Sequence, residues 1–460
     1  MITFAPLGEN AKPRQKTVQM TKYNTHTLAN GLRVIHLPSE SQVVYCGLQI
    51  AAGTRNERPG EEGLAHFCEH VTFKGTARRR AWHILNALES VGGELNAFTN
   101  KESTVYYAAI LKEHLPRAVD LLTDIVLHST YPQHELDKEK AVICDEIESY
   151  NDTPAELIFD DFENIIFSGH PLGHNILGTR EQVMAYTTDD ARRFTSRHYR
   201  PDNMIFFAYG DVNFPRLVRL LEKATAKEGS IIAENQSSLP RNWSSPLDNQ
   251  SSPLDSQNSS LENQNSLLES PSSLPSTTPQ PIIRDMQTHQ THVITGCRAY
   301  SIHDERRMPL YLLNNILGGP GMNARLNLSL RERNALVYTV ESTMVSYADT
   351  GLWCVYFGCD HHDTQRCLQL VRRELDRLMQ QPLTDNQLKA AKKQIKGQIG
   401  VACDNREQFA LDFGKSFLHY GWEKDITSLY DHIDAITPAQ IQQVAQHIFA
   451  ENNLITLIYR

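Results

Sequence analysis

Residues 63–76 read GLAHFCEHVTFKGT, and this stretch carries the clearest signal for fold and chemistry. The run looks helical from Leu64 onward. Positions i, i+3 and i+4 of a helix share one face, so His66, Glu69 and His70 are expected to converge on one side. The apolar residues form a separate stripe, which consists of Leu64, Phe67 and Val71. The pattern predicts a helix with one face packed on a core and another carrying two imidazoles and a carboxylate.

Two imidazoles one helical turn apart can reach a single Zn²⁺ at about 2.0 to 2.1 Å. A carboxylate between them is placed to take a proton from a water bound to that metal. The order of residues in HFCEH inverts that of the commoner zinc-protease helix. The alternative is that His66 and His70 are surface or capping histidines, since short patterns also arise by chance. The motif by itself therefore favours a zinc site without establishing one.

A second helix is expected downstream, over residues 136–150 (LDKEKAVICDEIESY). Glu139, Ile143 and Glu146 fall on one of its faces, because seven residues are nearly two turns. Two buried acids on one face would need a cation to offset their desolvation. If the face is exposed instead, both carboxylates are simply solvated, and the pattern does not decide between these alternatives.

Length and composition bound the class of protein. The chain has 460 residues, which predicts two or more domains, and it is 40% hydrophobic and 22% charged. Its formal net charge is −9, and no basic cluster with interleaved aromatics stands out, which argues against a nucleic-acid partner. No apolar run approaches the roughly 20 residues needed to cross a bilayer, and residues 1–20 lack the apolar region of a secretory signal. We therefore expect a cytoplasmic protein with neither nucleic acid nor membrane as a partner.

One stretch differs sharply from the rest of the chain. Residues 234–281 contain 14 Ser, 7 Pro, 6 Asn and 5 Gln with a single aromatic, Trp243. Such a segment cannot bury enough apolar surface to fold. We expect a low-complexity, disordered linker over 227–283, with a first lobe over 20–226 and a second lobe over 284–460.

Each lobe is expected to mix strands with long amphipathic helices. Residues 32–37 and 43–51 read as strands, and apolar residues recur at helical spacing over 115–126. A shift of 250 positions pairs similar residues of the two lobes, namely Thr187 with Thr437, Tyr199 with Phe449, Asn203 with Asn453, Ile205 with Ile455 and Tyr209 with Tyr459. The predicted fold is α+β, with two homologous α/β lobes whose mostly antiparallel sheets are covered by helices.

Three segments together resemble the pitrilysin or insulinase family of zinc metallopeptidases, the inverzincins. They are residues 63–76, 92–107 (GGELNAFTNKESTVYY) and 139–148 (EKAVICDEIE). The resemblance implies that His66, His70 and Glu146, which lies 80 residues after His66, hold one Zn²⁺ per chain. It also implies that Glu69 is the general base and that Glu139 supports the ligands.

The resemblance continues in residues 317–338 (LGGPGMNARLNLSLRERNALVY), which are similar to the family's glycine-rich turn, helix and strand. It implies that Arg331 and Tyr338 orient the substrate and stabilise the oxyanion of the tetrahedral intermediate. Without it, an arginine in a helix and a tyrosine in a strand are ordinarily surface and core residues. The family also adds a substrate peptide to the strand beginning at Asn96, so Asn96 and Ala97 are implied to bind substrate. Asn96 would otherwise read as a turn residue.

Other patterns carry less chemistry. The glycines of residues 318–321 lack the Lys-Ser or Lys-Thr of a phosphate loop. His170 and His174 are separated by a proline and a glycine, which favours a loop, and His361 and His362 have no partner at ligand spacing. In the second lobe the positions that match His66, Glu69 and His70 hold residues without metal chemistry, namely Leu310, Leu313 and Asn314.

The implied activity is that of a zinc-dependent endopeptidase that hydrolyses peptides bound in extended form inside a closed chamber. Full-length insulinase-like proteins have four lobes, whereas in two-lobe relatives resembling the mitochondrial processing peptidase two subunits close the cavity and the Arg/Tyr pair comes from the partner. Because this chain carries both the zinc residues and this pair, we expect a homodimer whose sites are completed by the partner. A heterodimer with an inactive homologue is the second possibility. A non-catalytic structural core subunit of the same family, and a protein that stores or senses metal, are alternatives.

The cysteines are scattered and indicate neither a zinc ribbon nor a disulfide framework. Most are expected to be reduced, buried small hydrophobes. Cys68 lies inside the HFCEH motif, where oxidation or alkylation would crowd a metal. The sequence therefore predicts sensitivity to thiol reagents that is abolished by Cys68→Ala.

Overall fold

The computed structural model describes residues 23–226, 280–420 and 426–460. Most of the expected linker, residues 227–279, lies outside the described residues, as do the first three residues of the expected first lobe. The described residues form two sheets, each accompanied by helices. None of the described helices is both long enough and apolar enough to cross a membrane.

The first sheet has six strands: β1 (Asn24–Thr27), β2 (Arg33–Pro38), β3 (Val43–Ile50), β4 (Glu94–Thr99), β5 (Thr104–Leu111) and β6 (Met204–Gly210). Their order is β1-β2-β6-β3-β5-β4. Only β2 and β6 pair in parallel, and the other neighbours are antiparallel. The strands expected at 32–37 and 43–51 are β2 and β3. Strand β4 lies at the edge of the sheet, beside the helix that carries the HFCEH motif.

The helices of the first part of the chain are α1 (Leu64–Thr72), α2 (Ala81–Glu89), α3 (Leu115–His128), α4 (Gln133–Asn151), α5 (Pro154–Ile166), α6 (Arg180–Ala185), α7 (Thr188–His198) and α8 (Phe214–Ala224). Helices α1, α3, α7 and α8 contribute to the main core on one face of the sheet. Alternate residues of β3, such as Val44, Cys46 and Leu48, are fully buried there, as the two-residue period of a strand requires.

The second sheet has five strands: β7 (Ile282–Arg284), β8 (Thr291–Ala299), β9 (Val337–Ser346), β10 (Gly351–Cys359) and β11 (Ile455–Tyr459). Strand β7 begins two residues before the expected boundary at 284 and thus inside the expected linker. The accompanying helices are α9 (Arg307–Gly318), α10 (Thr364–Gln380), α11 (Asp385–Ala402), α12 (Arg406–Tyr420), α13 (Ile426–Ala435) and α14 (Pro438–Ile448).

The two sheets share one topology. The order β2-β6-β3-β5-β4 in the first sheet corresponds to β7-β11-β8-β10-β9 in the second, and β7–β11, like β2–β6, is a parallel pair. The 250-residue offset is also visible locally. Thr187 and Thr437 cap α7 and α14 by accepting hydrogen bonds from the backbone N–H of Asp190 and Gln440. The expected fold of two homologous α/β lobes is therefore confirmed.

Each sheet is covered on its second face by a helix from the other part of the chain. Helix α5, through Ile158 and Phe162, packs on the second sheet against β8, β10 and β11. Helix α12, through Leu411 and Phe417, packs on the first sheet against β3 and β6. The sequence division into lobes did not anticipate this exchange, because an apolar helix face does not reveal which sheet it will cover.

The tip of the β9–β10 hairpin also joins the two lobes. Asp349 forms an ion pair with Arg55 of a one-turn 3₁₀ helix, Thr54–Asn56. Arg55 pairs with Glu102 at 2.7 Å, and the backbone N–H of Ala348 donates to the same Glu102 carboxylate at 3.0 Å. The second lobe therefore contacts the turn that leads into α1.

Candidate metal centre

Helix α1 forms where the motif predicts it. Leu64, Phe67 and Val71 are buried in the main core, which accounts for the apolar stripe. The N-cap residue is Gly63, whose φ of 88° is a left-handed conformation that glycine adopts without strain. Because the apolar stripe faces the core, His66, Glu69 and His70 occupy the neighbouring face of the helix.

Helix α4 brings a further carboxylate, that of Glu146, to this face. Oε1 of Glu146 lies 3.8 Å from Nε2 of His66, and Oε2 of Glu146 lies 3.3 Å from Nε2 of His70. One ligand atom from each of these residues lies within 4.8 Å of the others. Ligands about 2.0 to 2.1 Å from a tetrahedral zinc are roughly 3.3 Å apart, so the donor set fits this ion.

The exposure of these side chains is uneven. The His66 side chain is 8% exposed, that of His70 is 22% exposed and that of Glu146 is 44% exposed. The site is therefore buried on the side of α1 and exposed to solvent on the side of α4. A catalytic zinc site needs three protein ligands and an open position, and the three side chains with the exposed α4 side are compatible with that requirement.

Glu139 contacts the other ring nitrogen of His70. Its Oε1 lies 3.0 Å from Nδ1 of His70, and its Oε2 lies 2.5 Å from Nζ of Lys74. A carboxylate at Nδ1 favours the tautomer that leaves Nε2 free to bind a metal. The acid that was expected to support the ligands thus lies against one of them. Lys74 was missed from the sequence because it follows the end of α1, outside the helical pattern.

Glu69 is buried beside the two histidines. Its Oε2 has no hydrogen-bond partner among the described residues. Burial raises the pKa of the Glu69 carboxyl, and a hydrogen bond with Thr99 of β4 opposes that shift. A carboxyl group with a raised pKa next to a metal position is suited to accept and return a proton. Thr99 was missed from the sequence, although it lies two residues after Ala97 on the same strand.

The pKa values of the two histidines are shifted in opposite directions. Burial, together with the neighbouring imidazole of His70, lowers the pKa of His66 to about 4. Burial would also lower the pKa of His70, but hydrogen bonds to Glu139 and Glu146 outweigh it and raise that pKa to about 9. The site therefore already concentrates negative charge around His70, as a cation site does.

The two acids of α4 are held in their charged forms. The hydrogen bond from His70 lowers the pKa of Glu146, and burial opposes this shift. Burial tends to raise the pKa of Glu139, but hydrogen bonds from His70 and Lys74 outweigh it, so that this pKa is lowered. The sequence left open whether these carboxylates are buried or solvated. Glu139 is 8% exposed, so its carboxylate is not a solvated group on an exposed face.

Asn96 and Ala97 lie on the edge strand β4. They pair with Tyr107 and Tyr106 of β5, and no other described strand pairs with β4. The outer backbone edge of β4 is thus free among the described residues, and Asn96 is exposed. The same strand carries Thr99, which hydrogen-bonds Glu69. The edge and the general-base candidate are therefore neighbours.

Arg331 and Tyr338 lie together in the second lobe. Arg331 is in a short π-helix, Asn327–Glu332, with its guanidinium carbon 5.5 Å from the centre of the Tyr338 ring. Tyr338 is 81% exposed, so the core position expected for a strand tyrosine does not apply. Both line a cavity of about 770 Å³ whose described lining residues all lie between 311 and 429, in the second lobe. This cavity contains none of the α1 or α4 side chains.

The second-lobe counterparts of the motif have structural roles. Leu310 and Leu313 of α9 are fully buried in the second core. The side-chain amide of Asn314 donates to the backbone carbonyl of Ser342 at 2.9 Å, and its oxygen accepts from the indole N–H of Trp353 at 3.1 Å. These positions offer no cluster of metal ligands.

The other histidines considered as ligands lie outside this site. His170 and His174 lie in the loop between α5 and α6, as their spacing predicts, and pair with Asp349 and Glu57. His362 does have partners that the spacing argument missed: one ligand atom each from Asp360, His362 and Asp363 lie within 4.8 Å of one another. His362 is 79% exposed and this group stands at the N-terminus of α10, where the helix dipole disfavours a cation.

Cys68 does not face the metal position. Its thiol is fully buried, and its Sγ lies 3.9 Å from the backbone carbonyl oxygen of Ala191 in α7. Burial raises the pKa of this thiol well above its ordinary value. The Cys68 thiol therefore lies on the core side of α1 and not toward the metal position, and its burial opposes the expected sensitivity to thiol reagents.

Comparison with known proteins agrees with this geometry. The chain matches the model of insulinase (peptidase family M16) over residues 33–180 and that of the peptidase M16 inactive domain over residues 185–395. An uncharacterized zinc protease of Streptomyces coelicolor is 31% identical over 434 residues, which cover 94% of this chain and 88% of that protein. An uncharacterized zinc protease of Bacillus subtilis is 30% identical over 435 residues, covering 94% and 97%.

Solved structures share the fold. A protease from Helicobacter pylori superimposes with a TM-score of 0.80 at 19% identity, covering 96% of this chain and 100% of that chain. A peptidase M16 inactive domain from Pseudomonas fluorescens gives a TM-score of 0.78 at 17% identity, covering 95% and 97%. Fold and site together are those of a two-lobe protein whose relatives are named zinc proteases. The chain belongs to the insulinase family, peptidase family M16.

Proposed function

We propose that this chain is a zinc-dependent endopeptidase that cleaves peptides bound in extended form. The observation that carries the proposal is the convergence of His66, His70 and Glu146 within ligand distance, with the buried carboxyl group of Glu69 beside them. One Zn²⁺ per chain is proposed. When bound, it would supply a Lewis acid that polarises the scissile carbonyl and activates a water.

Glu69 is the proposed acid and base. Its carboxylate takes a proton from the attacking water and returns that proton to the amine that leaves. Burial raises the pKa of Glu69, which makes its carboxylate a stronger base toward the attacking water. Glu139 contributes by holding His70 through Nδ1.

The proposed substrate site is the free edge of β4. An extended peptide that adds to this edge makes backbone hydrogen bonds, so its affinity does not depend strongly on its sequence. Asn96 and Ala97 are the proposed contact positions, and Thr99 links the same strand to Glu69. Peptides, rather than folded proteins, are the expected substrates because only an unpaired strand can use such an edge.

Arg331 and Tyr338 are proposed to orient the substrate and to stabilise the developing oxyanion, each donor contributing about 3 to 4 kcal/mol to transition-state binding. They line a cavity made of second-lobe residues, which supports a site completed by a second subunit. A homodimer in which each pair faces the partner's zinc site is the preferred assembly, and a heterodimer with an inactive homologue is the alternative.

The variant Glu69→Gln tests the activity. It should keep the zinc content of the wild type and lose cleavage of a mixed peptide library measured by mass spectrometry. A chelator should abolish wild-type cleavage, and added zinc should restore it. Unchanged cleavage by Glu69→Gln would remove Glu69 as the base. Zinc binding without cleavage of any peptide by the wild type would favour a non-catalytic family member or a metal-storage protein.

Mixing two inactive variants tests the assembly. Glu69→Gln and Tyr338→Phe should each be inactive as homodimers. In a mixed dimer with sites completed in trans, one site is doubly mutated and the other is intact, so activity returns on mixing. If both residues act within one chain, or if the partner is an inactive homologue, mixing restores nothing.

A further inference from the structure

The N-terminus of α1 is capped by a side chain from outside the helix. The N-cap residue is Gly63, which has no side chain to accept a hydrogen bond. Instead, Glu57 accepts from the backbone N–H of Gly63 at 3.0 Å and from that of Ala65 at 2.7 Å. A carboxylate in this position satisfies donors that lack partners within the helix and interacts favourably with the helix dipole.

His174 holds this carboxylate in place. Its Nε2 lies 2.9 Å from Oε2 of Glu57 and 3.1 Å from the backbone oxygen of Thr54. The Glu57 side chain is 1% exposed and that of His174 is 20% exposed. The loop that carries His174 is itself anchored, because the buried Lys101 donates to the backbone oxygen of Leu172 at 3.2 Å. Glu57 therefore sits between two fixed elements.

The chain passes close to this loop at the start of the helix. A Cβ atom on Gly63 would lie 2.6 Å from the backbone oxygen of Leu177, and one on Gly178 would lie 2.4 Å from that of Glu62. Only glycine permits an approach of this kind. The first turn of α1 is thus seated against the α5–α6 loop on one side and against Glu57 on another.

The position of the first turn of α1 affects the orientation of His66 more than that of His70, because the two imidazoles differ in their hydrogen bonds. The Nδ1 atom of His70 contacts Glu139, whereas the buried Nδ1 atom of His66 has no hydrogen-bond partner in the part of the chain that the structure describes. His66 directly follows Ala65, whose N–H Glu57 binds. Because no described residue hydrogen-bonds Nδ1 of His66, the orientation of this ring depends on the packing around it and on the position of the first helical turn.

We infer that Glu57 and His174 are positioning residues that set the first turn of α1 and thereby place the imidazole of His66 for zinc. The inference rests on the proposed function only in that it takes the His66 centre to bind zinc. Neither residue touches the metal position, so both act through the helix. The sequence did not suggest them, since Glu57 precedes the motif by nine residues and His174 read as a loop histidine.

Zinc affinity of the purified full-length protein tests this inference. Glu57→Gln and His174→Ala should each raise the zinc dissociation constant about 10-fold or more, measured by competition with a chelator. His174→Gln keeps a donor at a similar reach and should restore most of the affinity. With Co²⁺ in place of zinc, the visible absorption of the two weakened variants should also change, since it reports ligand geometry.

Thr437→Ala is the matched control. It removes the N-cap of α14 in the second lobe and should lower the melting temperature without changing zinc affinity. The inference is overturned if the zinc dissociation constants of Glu57→Gln and His174→Ala lie within about twofold of the wild-type value. It is also overturned if Thr437→Ala raises the zinc dissociation constant as much as they do. If Glu57→Gln does not fold, the zinc affinities of His174→Ala and His174→Gln test the inference, and equal affinities would overturn it. Zinc binding without peptide cleavage would overturn the proposed function alone.

Discussion

Nδ1 of His70 lies 3.0 Å from Oε1 of Glu139, while Nε2 of the same ring lies 3.3 Å from Oε2 of Glu146. The imidazole is therefore held between two carboxylates of one helix, one on each ring nitrogen. Burial alone would lower the pKa of His70, and these two contacts reverse that effect. In the proposed metal centre the two carboxylates would have different tasks: Glu139 would fix the ring, and Glu146 would share the metal with His70.

Glu139→Gln should weaken zinc binding about 10- to 100-fold, because a neutral amide holds the His70 ring less firmly and leaves Lys74 without its anionic partner. Competition with a chelator measures the change. Asp145→Asn, an exposed position on the same helix next to Glu146, should bind zinc like the wild type. Equal affinity of Glu139→Gln and Asp145→Asn would mean that Glu139 does not support the site.

Asp349→Asn should slightly destabilise the contact between the lobes. Burial tends to raise the pKa of Asp349, but the hydrogen bond from Arg55 outweighs it and lowers that pKa below the ordinary 3.8. A lowered folded-state pKa stabilises the protein at pH values above 3.8, and this stabilisation is lost as the pH falls through the folded-state value. Because the Asp349 side chain is 47% exposed, the effect at pH 7 should be about 1 kcal/mol or less.

Denaturant unfolding at pH 7, 5 and 3.5 tests the Asp349 prediction. The difference in unfolding free energy between wild type and Asp349→Asn should be present at pH 7 and 5 and smaller at pH 3.5. Asp152→Asn, at an exposed position at the end of α4, serves as the control and should show no such trend. A difference that grows toward acid pH would contradict the assigned direction.

Thiol labelling should bypass Cys68. Cys403 is partly exposed, whereas the other seven cysteines are buried. Burial raises the pKa of Cys68 well above its ordinary value. N-ethylmaleimide should therefore modify Cys403 first and reach Cys68 only as the protein unfolds, as peptide mass mapping would detect. Cys403→Ser should remove the fast phase of labelling. Rapid modification of Cys68 in the folded protein would restore the original expectation of a reactive thiol inside the motif.

Phe162→Ala should destabilise both lobes together. Phe162 of α5 is fully buried against the second sheet, although its helix belongs to the first part of the chain. The loss of a buried phenyl ring costs about 3 to 5 kcal/mol. Hydrogen exchange should accelerate in β3 as well as in β10, since unfolding α5 uncovers one sheet and loosens the contact with the other. Faster exchange confined to β10 would show that the lobes unfold independently.

Local periodicity predicted the elements that carry the site. The three- and four-residue spacing of polar and apolar residues located α1. The seven-residue spacing of Glu139 and Glu146 located the face of α4. The convergence of His66 with Glu146, 80 residues apart, came from the resemblance, because periodicity says nothing about which helices cross.

Contacts between distant segments escaped prediction for a physical reason. The pairing of Glu57 with His174, of Arg55 with Asp349, and of Glu69 with Thr99 joins residues on different elements. Such pairs have no characteristic spacing, and a single charged residue reads as part of a solvated surface until the fold buries it. The burial of Cys68, by contrast, follows from periodicity, because Cys68 lies four residues after Leu64 and thus on the apolar stripe of α1.

The exchange of α5 and α12 has a consequence for the ancestry of the chain. Each is the third helix after its β-hairpin, and each shields the sheet built by the other half. A lone ancestral half would have left an apolar sheet face in water. Duplication and fusion of its gene would therefore have started from a homodimer in which each subunit covered its partner's sheet with this helix. The fusion would have linked two subunits that were already associated.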